Sequence, residues 1–196
     1  MNDAVTMETC RARFLTVAPA LAGKTKLAQL TPALIAGAAR LSEQEFNAEF
    51  AGVADYVAVL HTQFLNSLLA RMVQESGDLP PGIDRILCSS YAQLNACLEQ
   101  GTLRAWFAEA RRKIPRVAEE LHIRNRGTSM MISIELSTLG CKRPMIIARL
   151  YCVMMLESAQ MEADAGGPVP EVRQALRDML TMWLPRPARE ISKALA

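Results

Sequence analysis

The sequence predicts an all-α protein of about nine helices, and three observations carry that prediction. Alanine, leucine, methionine, glutamate and arginine, all good helix formers, dominate the composition. Alternating runs of β-branched residues are absent; the nearest, Met130-Met131-Ile132-Ser133-Ile134, is short and lies between helix-like segments. Prolines, glycines and capping residues punctuate apolar stripes of helical period. With 196 residues, 51% apolar and 21% charged, the chain is long and apolar enough to bury a core.

Taken in order, a first helix is expected over roughly Thr9 to Lys24, with Phe14, Leu15, Ala18 and Leu21 on one face. Thr31-Pro32 reads as an N-cap followed by proline at the first helical position, where its missing N–H costs nothing. Ser42 and Glu45 form an S-x-x-E capping box, which opens a second short helix ending at Phe50. Leu34, Ile35, Ala38, Phe46 and Phe50 are expected to point inward. Two capped helices separated only by Arg40 and Leu41 make a helix-turn-helix pattern, which points to DNA binding.

A longer helix follows over about Val53 to Gln74, and Asp78-Leu79-Pro80-Pro81-Gly82 is the strongest break in the chain. Helices are then expected over Ile83 to Leu98 and Leu103 to Lys113, the second stopped by Pro115. Arg116 to Leu139 follows, with a candidate interruption at Asn125-Arg126-Gly127 and Gly140 as its C-cap. Pro144 and Pro170 open the last two long helices, to about Ala163 and Leu184, and Pro185-Arg186-Pro187 leads into a short tail. Met145 to Gln160 is apolar nearly all round. It is either a central core helix or one that packs on its own domain and on a partner subunit. On the last helix Val172, Ala175, Leu176, Met179, Leu180 and Trp183 share a face, with Arg173, Arg177 and Asp178 opposite.

The formal net charge is +2, and its distribution is uneven. Within residues 1–60, Arg11, Arg13, Lys24, Lys26 and Arg40 face Asp3, Glu8, Glu43, Glu45, Glu49 and Asp55, so the end bearing the helix-turn-helix is slightly acidic. A nucleic-acid module ordinarily concentrates positive charge there. The cysteines, Cys10, Cys88, Cys97, Cys141 and Cys152, are odd in number and lack C-x-x-C spacing, as expected for buried thiols in a reducing cytosol. No signal-peptide layout opens the chain. The longest apolar run, Met145 to Leu156, contains Arg149 and is well short of the ~20 residues a membrane span needs, so a cytoplasmic protein without membrane contact is expected. His61 and His122 have no nucleophile or carboxylate at telling spacing, and neither a P-loop, a dinucleotide fingerprint nor H-E-x-x-H occurs. Neither catalysis nor a cofactor or metal is expected.

The residues from Arg13-Phe14-Leu15 to Phe50 resemble, without gaps, the tetracycline-repressor (TetR) family of bacterial regulators. Thr31 falls at the family's helix-two cap, Ile35-Ala36 at its Ile-Ala pair, Ala39 at its alanine and Leu41-Ser42 at its Val-Ser. Phe50 falls at the phenylalanine that closes the three-helix core. Beyond Phe50 the likeness is in outline only: a linking helix, a proline-rich break and further helices ending in two long apolar ones. The departures gather where that family meets DNA. Arg40 replaces the turn glycine, Asn47 a phosphate-contacting tyrosine and Val53 a phosphate-gripping lysine; Glu43 replaces a basic or small residue, and Lys26 lies near a lost glycine.

The resemblance implies a homodimeric transcriptional regulator, a repressor that binds operator DNA and is released by a small apolar or amphipathic effector. It implies a DNA-binding-type domain at 1–52 and a ligand-binding and dimerisation domain at 53–196. Thr31, Arg40, Ser42, Gln44 and Asn47 are the candidate DNA contacts, since glutamine and asparagine pair bidentately with adenine and a helix N-terminus accepts phosphate. The competing reading makes them solvated polar residues. Tyr91, Trp106, Phe107, Met131 and Met154 are candidates to line an effector pocket, or else plain core. Leu150, Met154, Leu176, Met179, Leu180 and Trp183 are candidates for the dimer interface. The basic run Arg104, Arg111, Arg112, Lys113 and Arg116 is either a solvated face or a site for an acidic partner. The rival to the repressor is a protein of the same fold that has lost operator binding and acts as a ligand-binding or protein-interaction module.

Overall fold

The computed structural model describes residues 3–185, with side chains from Cys10 onward. These residues form α1 (Asp3–Thr16), α2 (Ala18–Ala22), a 3-10 turn (Leu27–Gln29), α3 (Pro32–Ala39), α4 (Glu43–Glu49) and α5 (Val53–Ser76). There follow α6 (Ile83–Glu99), α7 (Leu103–Lys113), α8 (Pro115–Thr138), α9 (Pro144–Asp164) and α10 (Pro170–Met182), and no strand occurs among the described residues. The chain is all-α, as expected.

The count exceeds the expectation by one because the first helix breaks at Val17. Pro19 has no N–H to return to Leu15, so α1 stops and α2 restarts with the proline in its first turn. The suspected interruption at Asn125-Arg126-Gly127 is not there; α8 runs through it. Gly140 does close α8: its N–H reaches the Ser137 carbonyl at 3.0 Å and that of Cys141 reaches Leu136 at 3.0 Å. It lies at φ 79°, where a side chain is disfavoured, and an added Cβ would also meet Pro185 at 3.2 Å.

The helices divide into two compact units. The first takes the chain up to Leu65 together with Gln100–Leu121; the second takes Asn66–Glu99 and the chain from His122 onward. The helix-turn-helix thus belongs to a larger body than residues 1–52, because α7 packs on α2 and the 3-10 turn. Trp106 Nε1 donates to the Thr25 carbonyl at 2.8 Å, and Phe107 stacks on Phe64 at 5.5 Å.

In the second unit α6, α9 and α10 pack around Leu87, Leu94, Ile147, Tyr151, Leu176 and Leu180, with Leu136 of α8. α9 turns Ile147, Ala148, Tyr151, Met155, Ser158 and Glu162 into this core. Its opposite side leaves Ile146, Leu150, Val153 and Met161 exposed, so α9 is half core helix and half open apolar face. Glu162 is fully buried among apolar side chains and holds Arg173 of α10 through two bonds, at 2.7 and 3.0 Å. Arg173 also donates to Asn95 at 2.7 Å, and its guanidinium lies 5.4 Å from the Tyr91 ring centre. Arg173 therefore faces inward, contrary to its expected place on the solvent side of α10. None of the five cysteines is in a disulfide, and only Cys141 is buried. No helix among the described residues is long and apolar enough to cross a membrane.

Candidate nucleic-acid interface

An aromatic cluster holds the helix-turn-helix together. Phe14 of α1 stands edge-on to Phe46 of α4 at 5.5 Å and to Phe50 at 5.9 Å. Phe50 in turn meets Tyr56 of α5 at 5.2 Å, and all four side chains are buried. The Tyr56 hydroxyl donates to the Phe14 carbonyl at 2.8 Å, just before α1 breaks. Burial pushes the Tyr56 phenol above its ordinary value, so it stays a donor.

Both helix starts read from the sequence are present. The Thr31 hydroxyl accepts the Leu34 amide at 3.2 Å. Ser42 accepts the Glu45 amide at 3.2 Å, while the Glu45 carboxylate accepts both the Ser42 amide and hydroxyl at 2.7 Å. Those bonds, helped by the charge of Arg13, hold the Glu45 carboxyl below the usual carboxylate range. The N-terminus of α4 is thus already occupied by an anion from its own chain.

The turn between α3 and α4 is a Schellman motif. The Arg40 N–H bonds the Gly37 carbonyl at 3.2 Å and that of Leu41 bonds Ala36 at 3.0 Å. Arg40 occupies the left-handed position, at φ 56°, where glycine is the favoured residue. A side chain there costs about 1–2 kcal/mol. Arg40→Gly is therefore expected to raise stability by about 1 kcal/mol in urea denaturation. A lower unfolding midpoint would instead show that the Arg40 side chain makes a compensating contact.

The basic residues of α1 are committed to this scaffold. Arg13 donates to the carbonyls of Ala39 at 2.7 Å and Arg40 at 3.3 Å, at the C-terminus of α3. Arg11 donates to the Glu49 carbonyl at 3.2 Å, lies 3.5 Å from its carboxylate and sits over the Phe50 ring. Two of the three α4 glutamates are therefore engaged within the chain, Glu45 in the cap and Glu49 by Arg11. Arg13 and Arg40 lie at the turn that leads to Ser42. Lys24 and Lys26 instead rim an open cleft against Ala105, Trp106 and Glu109 of α7.

Thr31, Arg40, Ser42, Gln44 and Asn47 are all exposed, on α3, α4 and the turn between them. Leu34 and Ala38 are exposed too, against expectation: α3 is apolar all round, so its spacing could not choose a face, and Ile35, Ala36 and Ala39 take the core.

The other candidate sets are only partly gathered. Trp106 and Phe107, 1% and 2% exposed, are core of the first unit, with Trp106 also lining the cleft that Lys24 and Lys26 rim. In the second unit the Tyr91 hydroxyl donates to the Arg173 carbonyl at 3.2 Å, and Met154 packs half-buried on the core. Met131 lies 62% exposed on α8. Of the dimer candidates Leu150 and Trp183 are exposed and Met154 and Met179 partly buried. Leu176 and Leu180 are fully buried in the chain's own core and cannot meet a partner, because the α10 stripe is taken up by α6 and α9. In the basic run, Lys113 pairs with Glu109 at 2.6 Å and Arg116 with Asp55 at 2.6 Å.

Sequence reading missed two pairings across the fold. His61, fully buried and edge-on to Phe107, lies 3.6 Å from Glu120, which also accepts the Thr62 hydroxyl at 2.8 Å. Glu162 with Arg173 is the other; a carboxylate at the helical register of Ile147, Tyr151, Met155 and Ser158 was the signal available for it. His122 is exposed.

No protein-family model matches the chain. No curated protein matches it in sequence. Among solved structures, a transcriptional regulator from Rhodococcus sp. Rha1 superposes with a TM-score of 0.71 at 16% identity, over 88% of this chain and 95% of that one. The chain therefore shares its all-α fold with that protein over most of its length.

Proposed function

We propose that the protein is a transcriptional regulator that binds operator DNA as a homodimer through α4 and is released by a small effector. The observation that carries this reading is the exposed set Ser42, Gln44 and Asn47, mounted on a helix that Phe14, Phe46 and Phe50 fix from behind. The regulator fold of the Rhodococcus protein supports it. The engagement of Glu45 and Glu49 weakens the objection from the acidic helix, although Glu43 remains exposed. Arg40, exposed at the turn in a left-handed conformation, is a cation that a phosphate could meet beside Ser42.

Dimerisation is proposed for the second unit. Apart from Leu34, every exposed large apolar side chain among the described residues belongs to that unit, on α5, α8, α9 and α10. Tyr91, Met131 and Met154 remain candidates to meet a small apolar or amphipathic effector there. The effector would act by favouring the dimer state that no longer fits adjacent grooves.

The test is base-resolved binding to the DNA upstream of the protein's own gene. Asn47→Ala is expected to cost about 1–3 kcal/mol at the preferred site and to relax the preference at one base position. Unchanged binding would remove Asn47 from the interface. A second reading, a protein-interaction module, rests on one observation: Glu45 already fills the α4 N-terminus that a phosphate would use.

A further inference from the structure

The exposed side of α4 carries one kind of base-reading chemistry. The helix reads Glu43-Gln44-Glu45-Phe46-Asn47-Ala48-Glu49 and has no basic residue. At about 100° per residue, Asn47 stands about 60° to one side of Gln44 and Ala48 about 40° to the other. Glu43 lies beyond Asn47, about 100° from Gln44, and all four side chains are exposed. Phe46, about 160° away, anchors the opposite side in the core. No hydrogen bond among the described residues uses the side-chain amide of Gln44 or Asn47. Along the axis Asn47 and Ala48 lie about 4.5 and 6 Å beyond Gln44, a span of about one to two base steps of 3.4 Å.

We propose that α4 reads A·T base pairs and no guanine, with Gln44 and Asn47 each taking an adenine and Ala48 packing on a thymine methyl. This inference rests on the operator-binding reading and supplies the base preference of its half-site. Adenine shows a donor at N6 and an acceptor at N7 to the major groove, and one side-chain amide answers both. Guanine shows two acceptors, N7 and O6, so the amide oxygen meets no donor there. Bidentate recognition of guanine takes arginine or lysine, and α4 has neither. Glu43 sharpens the choice, because a carboxylate only accepts. It suits the amino group of adenine or cytosine and is repelled by the acceptors of guanine. The Ala48 methyl fits beside the thymine C5 methyl. Arg40 stands outside this arc, at the C-terminus of α3, and a phosphate contact from it carries no base preference.

The test is selection of duplexes from a random pool by the full-length protein, then titration with the selected duplex and its single-base variants. Circular dichroism confirms that each protein variant stays helical. The enriched site is expected to hold two neighbouring A·T pairs in each half. Replacing either pair by G·C is expected to weaken binding about ten-fold. Replacing the contacted thymine by uracil, which lacks only the methyl group, should weaken it about four-fold, the worth of one buried methyl. Gln44→Arg is expected to exchange adenine for guanine at one pair, whereas Arg40→Ala should weaken all duplexes alike. A pool in which nothing is enriched would overturn the operator-binding reading, and this inference with it. A preferred guanine at the pairs that Gln44→Ala and Asn47→Ala relax, or base preferences that neither substitution moves, would overturn this assignment and leave operator binding standing.

Discussion

Arg173→Met is expected to lower the unfolding free energy by about 3–5 kcal/mol, because it strands the Glu162 carboxylate inside the second unit. Two partners in the chain then lose their cation, since Arg173 also holds Asn95 and covers the Tyr91 ring. Replacing both members, Glu162→Leu with Arg173→Met, is expected to recover most of the loss, since two uncharged side chains need no pairing. Urea denaturation of the three proteins measures this; a single variant within about 1 kcal/mol of wild type would contradict it.

The same pair sets a pH dependence. Burial opposes ionisation of Glu162, but the Arg173 hydrogen bonds and the Val169 amide outweigh it and leave the carboxyl below its ordinary value of 4.5. A folded-state value below the unfolded one means that the stabilisation is complete above the ordinary value and is lost as pH falls through the folded one. The gap between wild type and Arg173→Met should therefore be widest near neutrality and close in acid.

Phe14→Ala is expected to cost about 3–5 kcal/mol as well, by opening a cavity where α1, α4 and the residues before α5 meet. Its consequence is local to the first unit: α4 loses the packing that fixes Phe46 and Phe50, and with it any defined presentation of Gln44 and Asn47. Thermal unfolding and DNA binding should fall together. A loss under about 1 kcal/mol would mean that the cluster relaxes to fill the space.

How much of this was legible in the sequence follows from which forces are local. The caps at Thr31 and Ser42 and the starts at Pro144 and Pro170 were legible because a cap needs only residues within one turn. The inward positions Phe14, Phe46 and Phe50 followed from spacing. Leu34 did not, because a helix apolar on all sides offers no contrast for spacing to read. Trp106 and Phe107 fit a pocket wall or a core equally well by size and period, and it is the packing of α7 on the 3-10 turn that buries them. The engagements of Arg11, Arg13 and Arg173 span 38, 26 and 11 residues, so a charge count along the chain treated as open what the fold had already used. The balance of charge at the helix-turn-helix was therefore the least legible feature and the one on which the functional reading depends.

Titration of the full-length protein with duplex DNA from upstream of its own gene, at about 50 and 200 mM salt, tests that reading most directly. A dimer making four phosphate contacts should bind that duplex in preference to unrelated DNA and lose about a hundred-fold in affinity across this range. Equal and weak binding to both duplexes, or none at the lower salt, would contradict operator recognition and leave the helix-turn-helix as a surface for another protein.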